Sequence, residues 1–256
     1  MIDLHCHLLP GVDDGSANMA ISLQLAKEAV ENGVKYALLT PHHMNGVYTN
    51  HKVDVLAQTE AFQQQLDEHQ IGLTVFPGQE VRINGDLLDA LDQDDILFAD
   101  EDNQYLMLEF PDDVPTYTTE MIFQLQQRGI IPVIVHPERN TQIMKQPDIL
   151  YELLEKGCLS QITASSYVGT FGEKVEKFSR QLIETGQGYL FASDAHHLPG
   201  RKYEMREAFE KLTSEFGTEL AQQYEDNAKA IINGEFVPVN RIRKVPTKRK
   251  KRFRLF

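Results

Sequence analysis

Five short clusters of histidine and carboxylate residues are the part of this sequence best suited to chemistry. Each cluster follows an apolar run, and they are His5-Cys6-His7, His42-His43, Glu80, His136-Pro137-Glu138-Arg139 and Asp194-Ala195-His196. Imidazole and carboxylate groups are costly in a protein core unless they are paired. They are also the ordinary nitrogen and oxygen ligands of divalent metal ions. The pattern therefore predicts a metal centre to which distant parts of the chain contribute.

The composition of the clusters restricts the metal. His5 and His7 lie two residues apart on an extended segment, so their side chains point the same way and can hold one ion. Glu109, which ends the run Tyr105–Leu108, adds another carboxylate. A mixture of imidazole and carboxylate without thiolate suits manganese, iron or zinc better than magnesium or calcium. Ions bridged by Glu80 are expected to activate a shared hydroxide and to bind phosphoryl oxygens.

The elements that position these clusters alternate between strand and helix. Strands are expected at Ile2–His5, Tyr36–Thr40, Leu73–Pro77, Tyr105–Phe110, Ile131–Val135, Ser160–Thr163 and Tyr189–Ala192. Helices are expected between a cap at Ser16 and a stop at Gly33, and at Val53–His69, Thr118–Arg128, Asp148–Lys156, Glu173–Glu184, Arg201–Phe216 and Thr218–Ile232. Seven repeats of this kind predict an α/β fold, a distorted (β/α)7 TIM-like barrel. The carboxyl ends of its strands would bring the clusters to one face.

The charge distribution separates a body from a tail. Residues 241–256 hold nine Lys and Arg and no acid, which leaves 16 basic and 38 acidic residues in 1–240. Such an acidic body argues against general nucleic-acid binding. We therefore expect a single domain at 1–240 and a basic tail at 241–256, mobile from Lys244 onward. Three interpretations of the tail stay open: it is merely solvated, it lies on anionic lipid, or it contacts an acidic surface, including a neighbouring copy.

Two further absences in the sequence narrow the class of protein. No run of about 18 apolar residues predicts a membrane span, and the start of the chain leaves no room for a signal peptide, so a cytoplasmic protein is expected.

Cys6 and Cys158 are expected to be small buried residues. Neither is followed six residues later by arginine, since Val12 and Ala164 stand there. The phosphate loop of a cysteine-dependent phosphatase is therefore excluded.

Five motifs together resemble a known superfamily, that of the polymerase and histidinol phosphatase (PHP) proteins. They are Met1-Ile-Asp-Leu-His-Cys-His-Leu-Leu-Pro-Gly-Val-Asp-Asp-Gly15, Thr40-Pro-His-His43, Pro77-Gly-Gln-Glu80, His136-Pro-Glu-Arg-Asn140 and Ala192-Ser-Asp-Ala-His196. Within the superfamily, the chain is similar to the manganese-dependent protein-tyrosine phosphatases of Gram-positive bacteria from residue 1 to about residue 235. Those proteins are encoded beside capsular or exopolysaccharide synthesis genes and act on an autophosphorylating tyrosine kinase.

The resemblance implies a PHP barrel with three divalent ions, most simply Mn²⁺, with iron or zinc as alternatives. One ion would be held by His5, His7, Glu80 and Asp194. A second would be held by Glu80, Glu109 and His136, and a third by Asp14, His42 and His196. The choice between Asp13 and Asp14 stays open because the two are adjacent. His43 and His197, second in their pairs, are expected to line the cleft or stabilise its rim.

Two arginines are expected to act beside the metal centre as the catalytic arginines. Arg139, three residues after His136, is placed to take two phosphate oxygens with its planar fork. Arg201, after the last cluster, is a second expectation. The implied reaction is in-line attack of a metal-bound hydroxide on phosphorus without a covalent enzyme intermediate. The phenolate leaving group has a pKa near 10 and needs little protonation. Tyr48 is expected either to flank the substrate ring or to have a packing role within the protein.

Two other functions remain open at this stage. A PHP phosphoesterase acting on a small molecule such as histidinol phosphate would use the same chemistry, so only a comparison of substrates separates it from a tyrosine phosphatase. A non-catalytic adaptor would instead dock a kinase or a membrane through the basic tail. An adaptor would not need so many converging ligands, which makes it the weaker hypothesis.

Overall fold

Parallel strands form the centre of the molecule. The computed structural model describes residues 1–197, 203–239 and 241–246. Its strands are β1 Ile2–Cys6, β2 Tyr36–Leu39, β3 His42–His43, β4 Thr74–Pro77, β5 Glu80–Arg82, β6 Tyr105–Glu109, β7 Ile131–Val135, β8 Leu159–Thr163 and β9 Leu190–Ala192. They form a three-stranded sheet, β1-β2-β4, and a six-stranded sheet, β3-β5-β6-β7-β8-β9, with every pairing parallel.

The two sheets are parts of one barrel. They are separate because two long strands are each interrupted by a kink. Pro41 separates β2 from β3, and its missing N–H interrupts the ladder. Gly78 separates β4 from β5, and it packs so closely on Leu38 that an added Cβ would lie 2.8 Å from the Leu38 Cγ. Hydrogen bonds cross the break, from Glu80 N to Pro41 O at 3.1 Å and from Gly78 N to Leu39 O at 2.9 Å. The nine strands therefore occupy seven positions.

The barrel closes between β1 and the segment after β9. Asp194 N donates to His5 O at 2.8 Å, and His7 N donates to Ala195 O at 3.1 Å. The buried Asp3 carboxylate adds a side-chain link, since it accepts from Ser193 N at 2.9 Å and from Ser193 Oγ at 2.5 Å. The architecture is the predicted distorted (β/α)7 barrel, and all strand carboxyl ends face the same side.

Helices cover the outside of the barrel. They are α1 Met19–Glu31, α2 Lys52–Glu68, α3 Leu87–Asp92, α4 Thr118–Gln127, α5 Thr141–Lys145, α6 Asp148–Glu155, α7 Ala164–Val168, α8 Glu173–Glu184, α9 Met205–Phe216 and α10 Thr218–Ile232, with a 3₁₀ turn at Pro137–Arg139. In α1 the buried face contains Leu25, Ala26 and Ala29, in line with helical spacing. The helix expected from Arg201 begins at Met205, and Arg201 lies outside the described residues.

The predicted cap of the first helix is wrong by two residues. Asn18, not Ser16, precedes α1 in an extended conformation, and its Oδ1 accepts from Ile21 N at 3.1 Å. This is the geometry of an N-cap, because it satisfies one of the free N–H groups of the first turn. The Ser16 hydroxyl instead donates to Asn18 O at 2.9 Å and so supports the residue that caps the helix.

The core and the start of the tail complete the fold. Cys6 and Cys158 are free and buried, as predicted, and burial raises the pKa of the Cys158 thiol to about 12. The first residues of the basic tail pack on the body, and the mobility expected from Lys244 onward stays a prediction. Arg243 N donates to Thr185 O at 2.8 Å, and Val245 is 5% exposed. The remainder, 247–256, lies outside the described residues. No helix in the described ranges has the length and apolar character to cross a bilayer.

Candidate metal centre

The strand ends bring the nine predicted ligands together on one face of the barrel. Strands β1, β3, β5, β6 and β7 supply or directly precede His5, His7, His42, Glu80, Glu109 and His136, and the segment after β9 supplies Asp194 and His196. Glu80 is at the centre and lies within 3.4 Å of the ring nitrogens of four histidines, which are His5, His7, His42 and His136. Asp194, His196, Asp14 and Glu109 surround this group.

The first group of ligand atoms is fully buried. His5 Nε2 and His7 Nε2 face each other at 3.2 Å, and Glu80 Oε2 lies 3.4 Å from the first and 3.3 Å from the second. Asp194 Oδ1 is 3.6 Å from His5 Nε2 and 3.5 Å from His7 Nε2. Two imidazoles and two carboxylates directed at one point fit a divalent ion, which would neutralise the carboxylate charge.

The second group differs in composition from the expected one. His42, rather than His136, clusters with Glu80 and Glu109. His42 Nδ1 is 2.7 Å from Glu80 Oε2 and 3.8 Å from Glu109 Oε2. His136 Nε2 approaches the other oxygen, Glu80 Oε1, at 2.7 Å. Glu80 is therefore shared between histidines on both sides, which is the position expected of a bridging ligand.

The third group separates the two adjacent aspartates. Asp14 Oδ1 lies 3.3 Å from His42 Nε2 and 3.4 Å from His196 Nε2, so Asp14 faces this group. Asp13 lies behind His7, with its Oδ2 2.7 Å from His7 Nδ1, and also accepts from His42 N at 3.1 Å. A carboxylate in that position fixes the orientation of a ligand imidazole. Asp14 is thus the better placed of the two to be a ligand.

The electrostatics of the cluster are dominated by carboxylates next to imidazoles. Burial disfavours the charged form of every group, but Glu80 and Asp14 outweigh it and raise the pKa of His42 to about 10. Asp13 likewise raises the pKa of the buried His7 well above its usual value. Although burial opposes it, the neighbouring His5 and His42 hold the pKa of Glu80 well below the ordinary range. These neighbours therefore favour the ionised form of Glu80, which a metal ligand requires.

Two of the predicted ligands occupy an unusual backbone conformation. His136 has φ +34° and Asp194 has φ +49°, both in the left-handed region that non-glycine residues seldom adopt. Each follows directly or closely after a strand, β7 or β9, and the turn directs its side chain across the barrel mouth. Such strain of about 1–3 kcal/mol is typically found at functional sites, where the surrounding structure holds it in place.

Arg139 lies at the edge of the cluster, as predicted. Its Nη1 donates to Asp194 Oδ2, and its guanidinium lies over the Phe171 ring at 4.9 Å from the centroid. A cavity of about 250 Å³ opens beside it and is lined in part by Arg82, Glu109, His136 and Arg139. Arg201 lies outside the described residues.

Two residues at the site were not identified from the sequence. Arg82 donates from Nε to Glu109 Oε2 at 2.6 Å, and Gln161 Oε1 lies 3.1 Å from His5 Nδ1. Arg82 follows Glu80 by two positions on β5, so strand alternation was a usable signal for it. Gln161 lies in the middle of β8 and is buried. For Gln161, the usable signal in the sequence was a polar residue in the middle of an expected strand.

The second histidines of the pairs lie outside the cluster. His43 is buried on the opposite side of β3, where its Nε2 is 3.9 Å from Asp95 Oδ2 and burial lowers its pKa. His197 is exposed at the end of the described segment. Tyr48 stacks on His42, with ring centroids 6.1 Å apart and planes inclined by 9°. This position is compatible with either expected role of Tyr48, which is to flank the substrate ring or to pack within the protein.

The barrel and the nitrogen and oxygen ligands at its mouth define the class of the protein, a metal-dependent hydrolase. The capsular polysaccharide synthesis CpsB/CapC family profile matches residues 1–233, and the chain belongs to this family. The resemblance inferred from the motifs is thereby confirmed.

Individual relatives align over the whole chain. The chain is 40% identical to the tyrosine-protein phosphatase YwqE of Bacillus subtilis and 34% identical to CapC of Staphylococcus aureus, with 100% of each chain covered. A solved structure is described as belonging to YwqE from Bacillus subtilis and CpsB from Streptococcus pneumoniae, unique metal-dependent tyrosine phosphatases. It superposes with a TM-score of 0.93 at 39% identity and covers 96% of this chain and 100% of its own.

Proposed function

We propose that the protein is a metal-dependent protein-tyrosine phosphatase that dephosphorylates an autophosphorylating tyrosine kinase in the cytoplasm and thereby regulates capsule or exopolysaccharide synthesis. The observation that carries the proposal is the convergence of nine imidazole and carboxylate side chains, with Glu80 at their centre, beside an arginine-lined cavity. The relative YwqE, named a tyrosine-protein phosphatase and 40% identical over the full length, supports the choice of substrate class.

The donor set fits three divalent ions, and we assign manganese as the metal. His5, His7, Glu80 and Asp194 would hold one ion. Glu109, with Glu80 and one or both of His42 and His136, would hold a second, and Asp14, His42 and His196 a third. Bound ions of this kind activate water and neutralise phosphoryl oxygens.

The side chains around the cluster have separate tasks in this reaction. Asp13 and Gln161 hold the rings of His7 and His5 through their second nitrogens. Arg139 is kept at the cavity wall by Asp194 and by the Phe171 ring, so its guanidinium is oriented before a substrate arrives. Because the fork is fixed in advance, little side-chain entropy is lost when it binds phosphate oxygens.

The first test is hydrolysis of a phosphotyrosine peptide by purified protein loaded with manganese. His136→Ala is expected to reduce turnover to the background rate, because it removes the imidazole that contacts Glu80 Oε1. His69→Ala is the matched control, since His69 is exposed at the C-terminal end of α2, where its Nδ1 lies 2.8 Å from Gln65 O.

Absence of turnover in metal-loaded wild-type protein would reject the proposal. A much higher kcat/KM for histidinol phosphate than for the peptide would favour the small-molecule phosphoesterase instead. If Arg139→Ala left the cellular effect on polysaccharide intact, a non-catalytic adaptor would be the better description.

A further inference from the structure

Arg82 lies on the same face of β5 as Glu80. Residues two apart on a strand point to the same side of the sheet, so the Glu80 and Arg82 side chains both enter the barrel mouth. Arg82 is paired in register with Glu109 on β6. Its Nε donates to Glu109 Oε2 at 2.6 Å, and its side chain is 24% exposed. The guanidinium is thus fixed along one edge.

The other edge of this guanidinium remains available. Arg82 contacts Glu109 through Nε alone. Within the described part of the chain, its Nη1 and Nη2 make no hydrogen bond. Arg82 lines the cavity of about 250 Å³ together with Arg139, His136 and Asn140. Since a water molecule occupies about 30 Å³ of liquid volume, the cavity has room for a phosphoryl group and part of its ring.

The two arginines are held in the same manner from different sides of the site. Arg139 is attached to the candidate ligand Asp194, and Arg82 is attached to the candidate ligand Glu109. Each arginine therefore keeps a defined position relative to the metal cluster. A phosphate dianion offers several oxygens at once, and planar guanidinium groups suit them better than single point charges do.

We propose that Arg82 is a second phosphate-binding residue, which forms with Arg139 a clamp on the phosphoryl group of the substrate. The inference rests on the proposed phosphatase function and specifies how that site recognises its substrate. Arg82 binds the phosphoryl oxygens through Nη1 and Nη2 while Nε keeps its bond to Glu109.

The test is direct binding of inorganic phosphate to manganese-loaded protein, measured by isothermal titration calorimetry. The variants are Arg82→Gln, which keeps an amide donor near Glu109 but loses the charge and the fork, and Arg82→Lys, which keeps the charge. Arg180→Gln is the matched control, because Arg180 is an exposed arginine on α8 that pairs with Glu184 in a similar way. Metal content by mass spectrometry and thermal unfolding are recorded for each protein.

We expect the phosphate Kd of Arg82→Gln to rise at least tenfold at full metal content and unchanged melting temperature. Arg82→Lys should recover part of the affinity, and Arg180→Gln should match the wild type. An unchanged Kd in Arg82→Gln would overturn the inference. So would a loss of phosphate binding that follows a loss of metal, since Arg82 would then act only by positioning Glu109.

The two proposals fail in different ways. Phosphate binding needs no turnover, so the calorimetric result does not depend on the identity of the substrate. If the wild type binds phosphate through Arg82 but does not hydrolyse the phosphotyrosine peptide, the proposed substrate is wrong and the inference on Arg82 stands. If the wild type hydrolyses the peptide and Arg82→Gln binds phosphate normally, the proposed substrate stands and the inference on Arg82 is wrong.

Discussion

Adjacent residues at this site have different surroundings and therefore different expected roles. The Asp13 side chain is buried between His7 Nδ1, His42 N and Gly15 N, whereas the Asp14 side chain is 42% exposed and faces two histidine rings. The tight turn after β1 produces this difference. An added Cβ on Gly15 would overlap the His7 backbone, so the turn needs a glycine there.

Asparagine substitutions should separate these two roles. Asp14→Asn is expected to remove one bound metal equivalent and, when unfolding is measured in metal-free protein, to change stability by less than about 0.5 kcal/mol, as is usual for a partly exposed side chain. Asp13→Asn places an amide where three nitrogen groups, His7 Nδ1, His42 N and Gly15 N, now meet a carboxylate, so it should cost about 1–3 kcal/mol of unfolding free energy. Elemental analysis and urea unfolding give the two readouts.

The reverse pattern would contradict this assignment. If Asp13→Asn lost a metal ion without losing stability, and Asp14→Asn lost stability while keeping all its metal, Asp13 would be the ligand. The sequence alone could not decide the question, because both aspartates are compatible with the motif and only the conformation of the turn determines which of them faces His42 and His196.

At the scale of the elements, the link between β1 and the segment after β9 determines the geometry of the first ligand group. Asp3 is fully buried and accepts hydrogen bonds from Ser193 N and Ser193 Oγ. Ser193 Oγ in turn accepts from Ala195 N at 3.1 Å. This link fixes Asp194 relative to His5, although the two residues lie far apart in the sequence.

Ser193→Ala should therefore weaken both the fold and the site. It leaves the buried Asp3 carboxylate with one donor fewer, which is expected to cost about 1.5–3 kcal/mol in urea unfolding. Because the segment with Asp194 and His196 is held less firmly, manganese affinity should also fall. Ser214→Ala on the exposed side of α9 is the control and should lie within about 0.5 kcal/mol of the wild type. Wild-type stability in Ser193→Ala would show that the backbone bonds alone close the barrel.

The seven strand positions could be predicted because long apolar runs alternate with helical stretches. The two short strands could not. β3 consists of His42 and His43 alone, and it is a strand only because it pairs with β5. Helices α3, α5 and α7 have five or six residues, too few to show a helical period. The roles of Arg82 and Gln161 depend on neighbouring strands, so residue type alone did not reveal them.

At the scale of the whole molecule, the candidate metal centre connects the first strand of the barrel to the segment after its last strand. His5 and His7 come from β1, and Asp194 and His196 follow β9. Bound ions would be attached to both, and they bind the folded state but not the unfolded chain. Ligands of that kind stabilise a protein by mass action.

Removal of metal should therefore lower the stability of the whole barrel. With manganese at about 100 times its dissociation constant, one site contributes about 2.7 kcal/mol, so chelation should visibly lower the melting temperature. Differential scanning calorimetry with manganese and with a chelator measures the shift. His136→Ala should show a smaller shift than the wild type. A melting temperature unaffected by chelation in active, manganese-loaded protein would contradict a metal centre that joins β1 to the segment after β9.

The closure of β1 against the segment after β9 also has a consequence for synthesis of the protein. A ribosome delivers His5 and His7 well before Asp194 and His196, because nearly the whole barrel lies between the two pairs in the sequence. Until then β1 lacks one of its two neighbours, and the first ligand group lacks a carboxylate. Chains that stop before Asp194 lack this closure and one carboxylate of the first ligand group, so we expect them to have no phosphatase activity.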